Sequence, residues 1–476
     1  MGGGRTEEDA RKEGRAEEPS APVEPAPATP TRARVPGAKG GGKGSLRPGG
    51  CLFAILALLV VLTGVAIFYS PPRPPPPTAA AGAPADGGAA LAAALPTIRA
   101  LALSPDGTTL AYGGDETRDG RHVVRLVRIR ERGFVDRQEP LRFIAAHDGL
   151  ISAIRFRPDG RELFTASQDG KVGRWRLEDG EPLGTLAPPG DPGELRGLLA
   201  LTISPNGRWL AAGGWSGDVF VWDLGAPAAP IVLPGQRGPW EVDPKTILPR
   251  GHVEEVRTLL FDDIDPPLLF SGGGEGLVIG WNVAERRVGR VVTVDGKTPN
   301  VRDLLMRQFE TGRDGDFVIV AALAEPARGG LLLADYRGCV YFVTTRGPCR
   351  DWWLGATTPA TACIRSLLDG RRICPPLDRP RGEAAAPFFG LVAYPAIPGS
   401  FVGVTPTEQF RLFRSSDTLP WREFAGSTGR GESMNGLASN PGAGFVVTGG
   451  RSGQLHLYEL GGDAVSPDVR LHDHLP

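Results

Sequence analysis

The chain has almost no net charge and few cysteines, and each shortage excludes a class of partner or of binding site. Lys+Arg 53 balance Asp+Glu 54, so no basic excess marks a nucleic-acid surface, and no common nucleic-acid motif is present. The five cysteines lack the paired C-x-x-C spacing that is typical of a zinc site. The sequence therefore predicts no nucleic-acid partner, no metal and no cofactor.

Two patterns that would support catalysis are also missing. The glycine-rich stretch SGGGEG at residues 271–276 does not continue into Gly-Lys-Ser/Thr, and no helix is predicted after it, so it does not fit a phosphate-binding loop. No two carboxylates stand at positions typical of a general acid and a general base. We therefore expect that the chain is not an enzyme.

Long hydrophobic runs are absent except for one, CLFAILALLVVLTGVAIFY at residues 51–69. It contains no charge and no proline, and as a helix it would extend about 28 Å, enough to cross a hydrocarbon core of about 30 Å. A cleaved signal peptide usually has a shorter apolar region after a short basic lead. We therefore predict an uncleaved transmembrane helix, with a signal cleaved near the downstream TAAAGAPA as the alternative.

The residues around this run predict its orientation. Five basic residues and no acidic residue lie between Glu24 and the run: Arg32, Arg34, Lys39, Lys43 and Arg47. By the positive-inside tendency, the N-terminus stays in the cytoplasm and the chain after residue 70 is exported. Residues 1–50 have little to bury and are expected to form a disordered tail, and residues 70–96 a Pro/Ala-rich linker.

Composition predicts the compartment of the exported part, and the compartment in turn predicts the state of its cysteines. The alanine- and proline-rich composition is typical of a high-GC bacterium, which predicts an inner-membrane protein with a periplasmic domain. Because an exported compartment is oxidising, the four late cysteines are predicted to form two disulfides. Three pairings are open, and two local loops, Cys339 with Cys349 and Cys363 with Cys374, are the simplest.

From residue 97 onward, a strand–turn–strand pattern returns at intervals of roughly 45 to 70 residues. The clearest copies are LALSPDGTTLAYGG, IRFRPDGRELFTAS and LTISPNGRWLAAGG, and each is followed by a second turn and a further strand. Alternating apolar residues around Pro-Asp-Gly turns indicate antiparallel β-meanders. Seven such units of four strands each close into a ring. The sequence therefore predicts an all-β, seven-bladed β-propeller over residues 97–476.

The second unit, AHDGLISAIRFRPDGRELFTASQDGKVGRWRL, resembles a WD40 repeat. Other units supply the Gly-His and Trp-Asp pairs of that pattern literally, at residues 251–252 and 222–223. The resemblance covers residues 97 to about 460 and is clearest in units two to four. It implies a WD40-like propeller that acts as a rigid platform for protein partners.

In the family that the repeat resembles, a histidine, a hydroxyl, an acidic residue and a tryptophan form a hydrogen-bonded tetrad. By position, the resemblance assigns this role to His147, Thr165, Asp169 and Trp175 in unit two, and to His252, Ser271, Glu275 and Trp281 in unit four. The longer glutamate is expected to shift the geometry of the fourth unit. Ser216 and Ser452 occupy the acidic position in units three and seven, which have no matching histidine, so those tetrads are incomplete.

Hydroxyl, imidazole and carboxylate are also the groups of a nucleophilic triad. A triad needs one solvent-accessible site, whereas these residues occur together in two units. A buried polar group must be paired, since an unsatisfied donor or acceptor costs about 1–3 kcal/mol. The tetrads are therefore interpreted as structural, and replacing His147 with Ala is expected to lower thermal stability.

Two segments break the repeat and are predicted to bind partners, because binding groups tend to lie on loops of a rigid scaffold. Residues 225–250 include Trp240, and residues 346–387 include Trp352 and Trp353. Aromatic residues are frequent interface anchors. The alternative is that these tryptophans pack back over the propeller rim.

These predictions describe a membrane-anchored, non-catalytic scaffold for protein partners outside the cytoplasm. The alternative is a propeller enzyme of the lactonase or hydrolase kind, or a small-ligand sensor, with its site in the central channel. Such a site needs carboxylates or histidines from several blades. The strands expected to line the channel, ALALS, AIRFR and ALTIS, offer few of them.

Overall fold

The structure is a computed structural model that describes most of the repeat region. The described residues are 95–130, 133–134, 142–189, 197–226, 229–236, 251–264, 267–293, 319–325, 329–335, 340–353, 364–366, 388–394, 399–407, 409–414, 422–425, 434–440, 444–462 and 467–475. The predicted tail (1–50), transmembrane helix (51–69) and nearly all of the linker (70–96) lie outside them. Within the described ranges, no helix combines the length and the hydropathy needed to cross a membrane.

Blades 1 to 4 are antiparallel sheets of consecutive strands, and blade 1 has a short additional strand. Their strands are β1 (Ile98–Leu103), β2 (Thr109–Arg118), β3 (Arg121–Arg130), β4 (Gly133–Phe134) and β5 (Arg142–His147) in blade 1; β6 (Ile151–Phe156), β7 (Glu162–Ser167), β8 (Val172–Arg176) and β9 (Pro182–Leu186) in blade 2; β10 (Leu198–Ile203), β11 (Trp209–Gly214), β12 (Val219–Asp223) and β13 (Ile231–Leu233) in blade 3; and β14 (Val256–Phe261), β15 (Leu268–Gly273), β16 (Leu277–Asn282) and β17 (Arg287–Thr293) in blade 4.

Blades 5 to 7 repeat the same order, and the predicted seven-bladed β-propeller is confirmed. Their strands are β18 (Ile319–Glu325), β19 (Gly330–Asp335), β20 (Val340–Thr344) and β21 (Ile364–Ser366) in blade 5; β22 (Gly390–Ala393), β23 (Ser400–Val404), β24 (Gln409–Arg414) and β25 (Arg422–Ala425) in blade 6; and β26 (Met434–Asn440), β27 (Phe445–Gly450), β28 (Leu455–Gly462) and β29 (Pro467–Leu475) in blade 7. One short helix, α1 (Pro348–Trp353), follows β20.

The Ser-Pro-Asp-Gly turns connect the first and second strands of a blade. In blade 1, the Ser104 hydroxyl donates to Asp106 at 2.5 Å and accepts the backbone N–H of Thr109 at 2.9 Å. Gly107 has a φ of 72°, a left-handed conformation that favours glycine. In blade 3, Ser204 makes the same bond to an asparagine, Asn206. Local turn chemistry therefore sets these hairpins.

The apolar core lies between blades. Each pair of neighbouring blades shares a cluster of buried side chains, as where Trp222 of blade 3 joins Phe164 of blade 2. The last such cluster joins blade 7 to blade 1, with Leu457 and Val447 against Ile98 and Leu101. This contact closes the ring, so that no blade is left with an exposed apolar face at the seam.

Candidate functional site

The tetrad of blade 2 forms a continuous chain of hydrogen bonds. Trp175 Nε1 donates to Thr165 Oγ1 at 2.9 Å, and that hydroxyl lies 2.8 Å from His147 Nε2. His147 Nδ1 lies 2.9 Å from Asp169 Oδ2. Because the indole can only donate, the hydroxyl gives its own hydrogen to Nε2, and Nδ1–H donates to the carboxylate. Every polar side-chain group of these four residues is therefore paired.

Asp169 extends the chain into the backbone. Its carboxylate accepts the N–H groups of Asp148, at 3.2 Å, and Lys171, at 2.9 Å. Burial alone raises the pKa of Asp169, but the hydrogen bond and charge of His147 and these backbone N–H groups hold it below its usual value. Since His147 ends the outer strand β5 of blade 1, the tetrad joins that blade to the β7–β8 turn of blade 2.

Gly173 leaves the space that the blade 2 tetrad needs. It faces Thr165 across the β7–β8 ladder. A Cβ at this position would lie 2.7 Å from Trp175 Nε1 and 2.8 Å from Thr165 Oγ1. The glycine is therefore required by the close approach of indole and hydroxyl, and not by its backbone angles.

Blade 4 builds the same chain with a glutamate. Trp281 Nε1 donates to Ser271 Oγ at 2.7 Å, His252 Nε2 lies 2.6 Å from that oxygen, and Nδ1 lies 2.5 Å from Glu275 Oε1. The second oxygen of Glu275 accepts the N–H of Glu254 at 3.0 Å. In blade 2 the carboxylate accepts the backbone N–H of Asp148, the residue directly after the histidine. In blade 4 the carboxylate accepts the backbone N–H of Glu254, the second residue after the histidine. The extra methylene thus moves one hydrogen bond along the loop.

The surroundings of this glutamate are acidic. Burial, and after it the charges of Glu275 and Glu255, raise the pKa of Glu254 to about 7, with Arg257 opposing them. Glu254 therefore holds a proton near neutral pH that an exposed glutamate would have lost. The blade 4 tetrad ends in a group of carboxyls that blade 2 does not have.

Blades 3 and 7 use their serines differently. The Ser216 hydroxyl accepts the N–H of Asp218 at 3.2 Å, and the Ser452 hydroxyl accepts that of Gln454 at 3.3 Å. Each serine therefore closes its own turn. In blade 3, Ala212 stands at the hydroxyl position, facing Phe220, and the Asp218 carboxylate accepts the N–H of Gly235 at 2.7 Å. In blade 3 this hydrogen bond, and not a tetrad, joins the segment after β13 to the turn between β11 and β12.

The tetrads are not built to react with a substrate. Thr165 is 0% exposed, His147 2% and Ser271 2%, whereas a nucleophile must reach solvent and substrate. Their hydroxyls are already engaged by indole and imidazole. Among the described residues, no group of three or more His, Cys, Asp and Glu side chains is placed to hold a metal ion.

Trp353 lies in the core, so the prediction that it anchors a partner is wrong. Helix α1 lies between β20 and β21 of blade 5 but packs against blade 4, where the Trp353 ring meets Phe270 edge-on with centroids 4.8 Å apart. The side chain is 0% exposed, and its indole donates to the carbonyl of Thr344 at 3.1 Å. An added Cβ on Gly280 would overlap the indole. Packing between two blades takes this aromatic away from the surface.

The other candidate side chains of these segments are only partly accounted for. Trp240 and the side chain of Trp352 lie outside the described residues. Cys349 is buried and disulfide-bonded. The predicted disulfide partners Cys339, Cys363 and Cys374 also lie outside the described residues, so the pairing stays a prediction.

Sequence reasoning missed two features of the propeller. Trp215, in the turn between β11 and β12, is 42% exposed, and a tryptophan set among turn glycines in GGWSGD was the available signal. The central channel is lined by Arg99, Arg155 and Arg257. Of the residues that the structure describes, no carboxylate or histidine lines its cavity. The channel arginines have no sequence signal beyond their place on the first strands.

Comparison with known proteins supports the repeat assignment. The family "WD domain, G-beta repeat" matches residues 138–176 and 180–223, which run from β5 of blade 1 to β12 of blade 3. The chain is 31% identical over 77 residues to a guanine nucleotide-binding protein subunit beta of Nicotiana tabacum, covering 16% of this chain and 20% of that protein.

Two further relatives show similar short matches. A U3 snoRNP-associated protein-like YAOH of Oryza sativa subsp. japonica is 26% identical over 115 residues, 22% of each chain. Telomerase Cajal body protein 1 of Homo sapiens is 33% identical over 94 residues, 19% of this chain and 17% of that protein. The chain thus spans about a fifth of the length of the relatives it matches. Together with the seven-bladed fold, these matches support a WD40 β-propeller.

Proposed function

We propose that the chain is a membrane-anchored, non-catalytic scaffold whose propeller binds protein partners outside the cytoplasm. The observation that carries this proposal is the state of the two tetrads. The constellations that most resemble a hydrolase triad are buried, and their atoms are paired with one another. They hold neighbouring elements together, which is the task of a rigid platform.

Partner binding is supported by the surface and by the relatives. Trp215 is exposed in a turn of blade 3, and tryptophan is enriched among the residues that dominate binding energy. The relatives are named as a subunit and as an snoRNP-associated protein, that is, as members of assemblies. For this chain we propose protein partners and no nucleic acid, because its charges balance.

The membrane anchor and the compartment rest on the sequence. The apolar run at residues 51–69 and the basic residues before it are the basis for an inner-membrane span with the N-terminus in the cytoplasm and the propeller in the periplasm. The disulfide at Cys349 fits this proposal, since disulfides persist in oxidising compartments.

The test is crosslinking in intact cells, followed by affinity purification of the full chain. We expect discrete protein partners, and Trp215→Ser should lower their recovery by about tenfold or more if this turn is a binding hot spot. Leu183→Ser is the matched control, because Leu183 is a second exposed apolar residue, on β9 of blade 2. Equal recovery from all three proteins would count against Trp215 as an anchor.

Fractionation of the same cells tests the location. We expect the chain in the membrane pellet after alkaline extraction, with the propeller open to protease only once the outer membrane is permeabilised. Recovery of the full chain in the soluble fraction would contradict the anchor. Turnover of a lactone or ester substrate that persists in His147→Ala would favour the enzyme alternative.

A further inference from the structure

The innermost strands surround a channel at the centre of the blades, with a cavity of about 270 Å³. Three arginines from three blades line it: Arg99 on β1, Arg155 on β6 and Arg257 on β14. Among the described residues that line it, none is acidic. The channel therefore concentrates positive charge in a chain whose charges otherwise balance.

The three arginines differ in how their charge is balanced. Arg257 lies 2.6 Å from a carboxylate oxygen of Glu255, which neutralises it locally. Arg155 donates to the carbonyl of Ile154 at 2.8 Å. In the part of the chain that the structure describes, no carboxylate forms an ion pair with Arg155 or Arg99. Among the described residues, these two guanidinium groups thus have no acidic partner.

Arg155 stands on the wall of the channel, on β6. It is open to the channel yet surrounded by protein, and this burial lowers its pKa. A cleft that is lined by charge of one sign and walled by protein raises the local concentration of counter-ions. Arginine also presents its donors as a planar fork that matches the oxygens of phosphate and carboxylate.

The depth of the arginines in the channel and the volume of the cavity both bear on which ligand fits. Arg99 and Arg257 are both the second residue of their strand, where the ladder register shifts, and Arg155 is the fifth residue of β6. Three residues of strand correspond to about 10 Å of depth. The cavity is slightly smaller than the pockets of about 300–1,000 Å³ that hold drug-sized ligands, so it suits a small anion.

We propose that the central channel binds a small doubly charged oxyanion, a phosphate or a dicarboxylate, between Arg99 and Arg155. The guanidinium groups act as charge-assisted donors from two neighbouring blades, so a bound anion links β1 of blade 1 to β6 of blade 2 at the channel wall. This site lies apart from Trp215, and it does not depend on the proposed partner binding.

The test is equilibrium dialysis of the purified full-length chain in detergent, against radiolabelled inorganic phosphate and, in parallel, radiolabelled succinate. Ionic strength is held constant with chloride. We expect saturable binding of at least one of them, and the preferred anion identifies the chemistry. Arg155→Gln and Arg99→Gln should each weaken that binding by about tenfold or more. Arg128→Gln removes the same charge from an exposed position on β3 and should leave affinity unchanged.

Absence of saturable binding for both anions would overturn the proposal, as would equal weakening in Arg128→Gln. Circular dichroism of each variant checks that it folds. If Arg155→Gln does not fold, Arg155→Lys and Arg99→Gln decide the matter. Lysine keeps the charge but not the fork, so Arg155→Lys should bind less tightly than the unaltered chain, and unchanged affinity in both variants would refute the site.

Discussion

Blade 2 and blade 4 contain the same four-part chain of hydrogen bonds in different surroundings. In blade 2 it ends in Asp169, which backbone N–H groups and His147 keep ionised. In blade 4 it ends in Glu275, beside two further glutamates, and helix α1 packs against the blade. The comparison teaches that the chain of donors and acceptors is what the fold requires. The length of the acid and its electrostatic setting are free to vary, because the loop offers more than one N–H.

The largest difference between the two blades is the contact of α1 with blade 4, and Trp353→Ala removes it. We expect the free energy of unfolding to fall by about 3–5 kcal/mol, since a large buried aromatic is lost and a cavity remains. Urea unfolding of the full chain measures it. Arg346→Gln, which breaks an exposed ion pair of the same segment with Asp263, should cost at most about 1 kcal/mol. A similar small loss for Trp353→Ala would show that α1 does not stabilise blade 4.

The equivalence of the two tetrads is tested by His147→Ala and His252→Ala. Each change leaves a buried hydroxyl and an acid without their imidazole partner, so each should lower the free energy of unfolding by about 1–3 kcal/mol. His122→Ala is the matched control, because the buried His122 Nδ1 has no hydrogen-bond partner to lose. If His252→Ala costs no more than His122→Ala, the blade 4 tetrad is not equivalent to that of blade 2.

The smallest expected effect is a difference in pH dependence. The pKa of Asp169 is lowered in the folded chain from 3.8, so its contribution is present above that pH and is lost as pH falls through the lower folded value. The pKa of Glu254 is raised from 4.5 to about 7. Its contribution is therefore present below pH 4.5 and is lost as pH rises through about 7.

Melting temperatures measured between pH 3 and pH 8 check these signs. Glu254→Gln should remove the part of the stability loss that occurs between about pH 4.5 and pH 7, and Asp169→Asn should remove the part below about pH 4. A curve for Glu254→Gln that runs parallel to that of the unaltered chain would contradict the raised pKa.

Several parts of the fold and site were predictable because they depend on neighbours in the chain. Alternating apolar residues and Pro-Asp-Gly turns indicated the strands, and the repeat spacing placed Thr165 and Trp175 of one blade on facing strands. Trp353 and Arg155 were not predictable in the same way. An aromatic in an insertion suits a surface as well as a core. The stretch AIRFR was expected to line the channel, but alternation alone does not decide whether its first arginine faces the channel or a neighbouring blade.

The sequence by itself determined the strands, their turns and the seven repeats, because these follow from side-chain periodicity and short-range turn chemistry. The resemblance to the WD40 repeat assigned the residues of both tetrads. Only the tertiary structure decided that α1 returns to blade 4 and buries Trp353. It also decided that Glu275 bonds the N–H of Glu254, and that Arg99 and Arg155 face one channel. Each of these depends on contacts between blades, and such contacts exist only once the ring has closed.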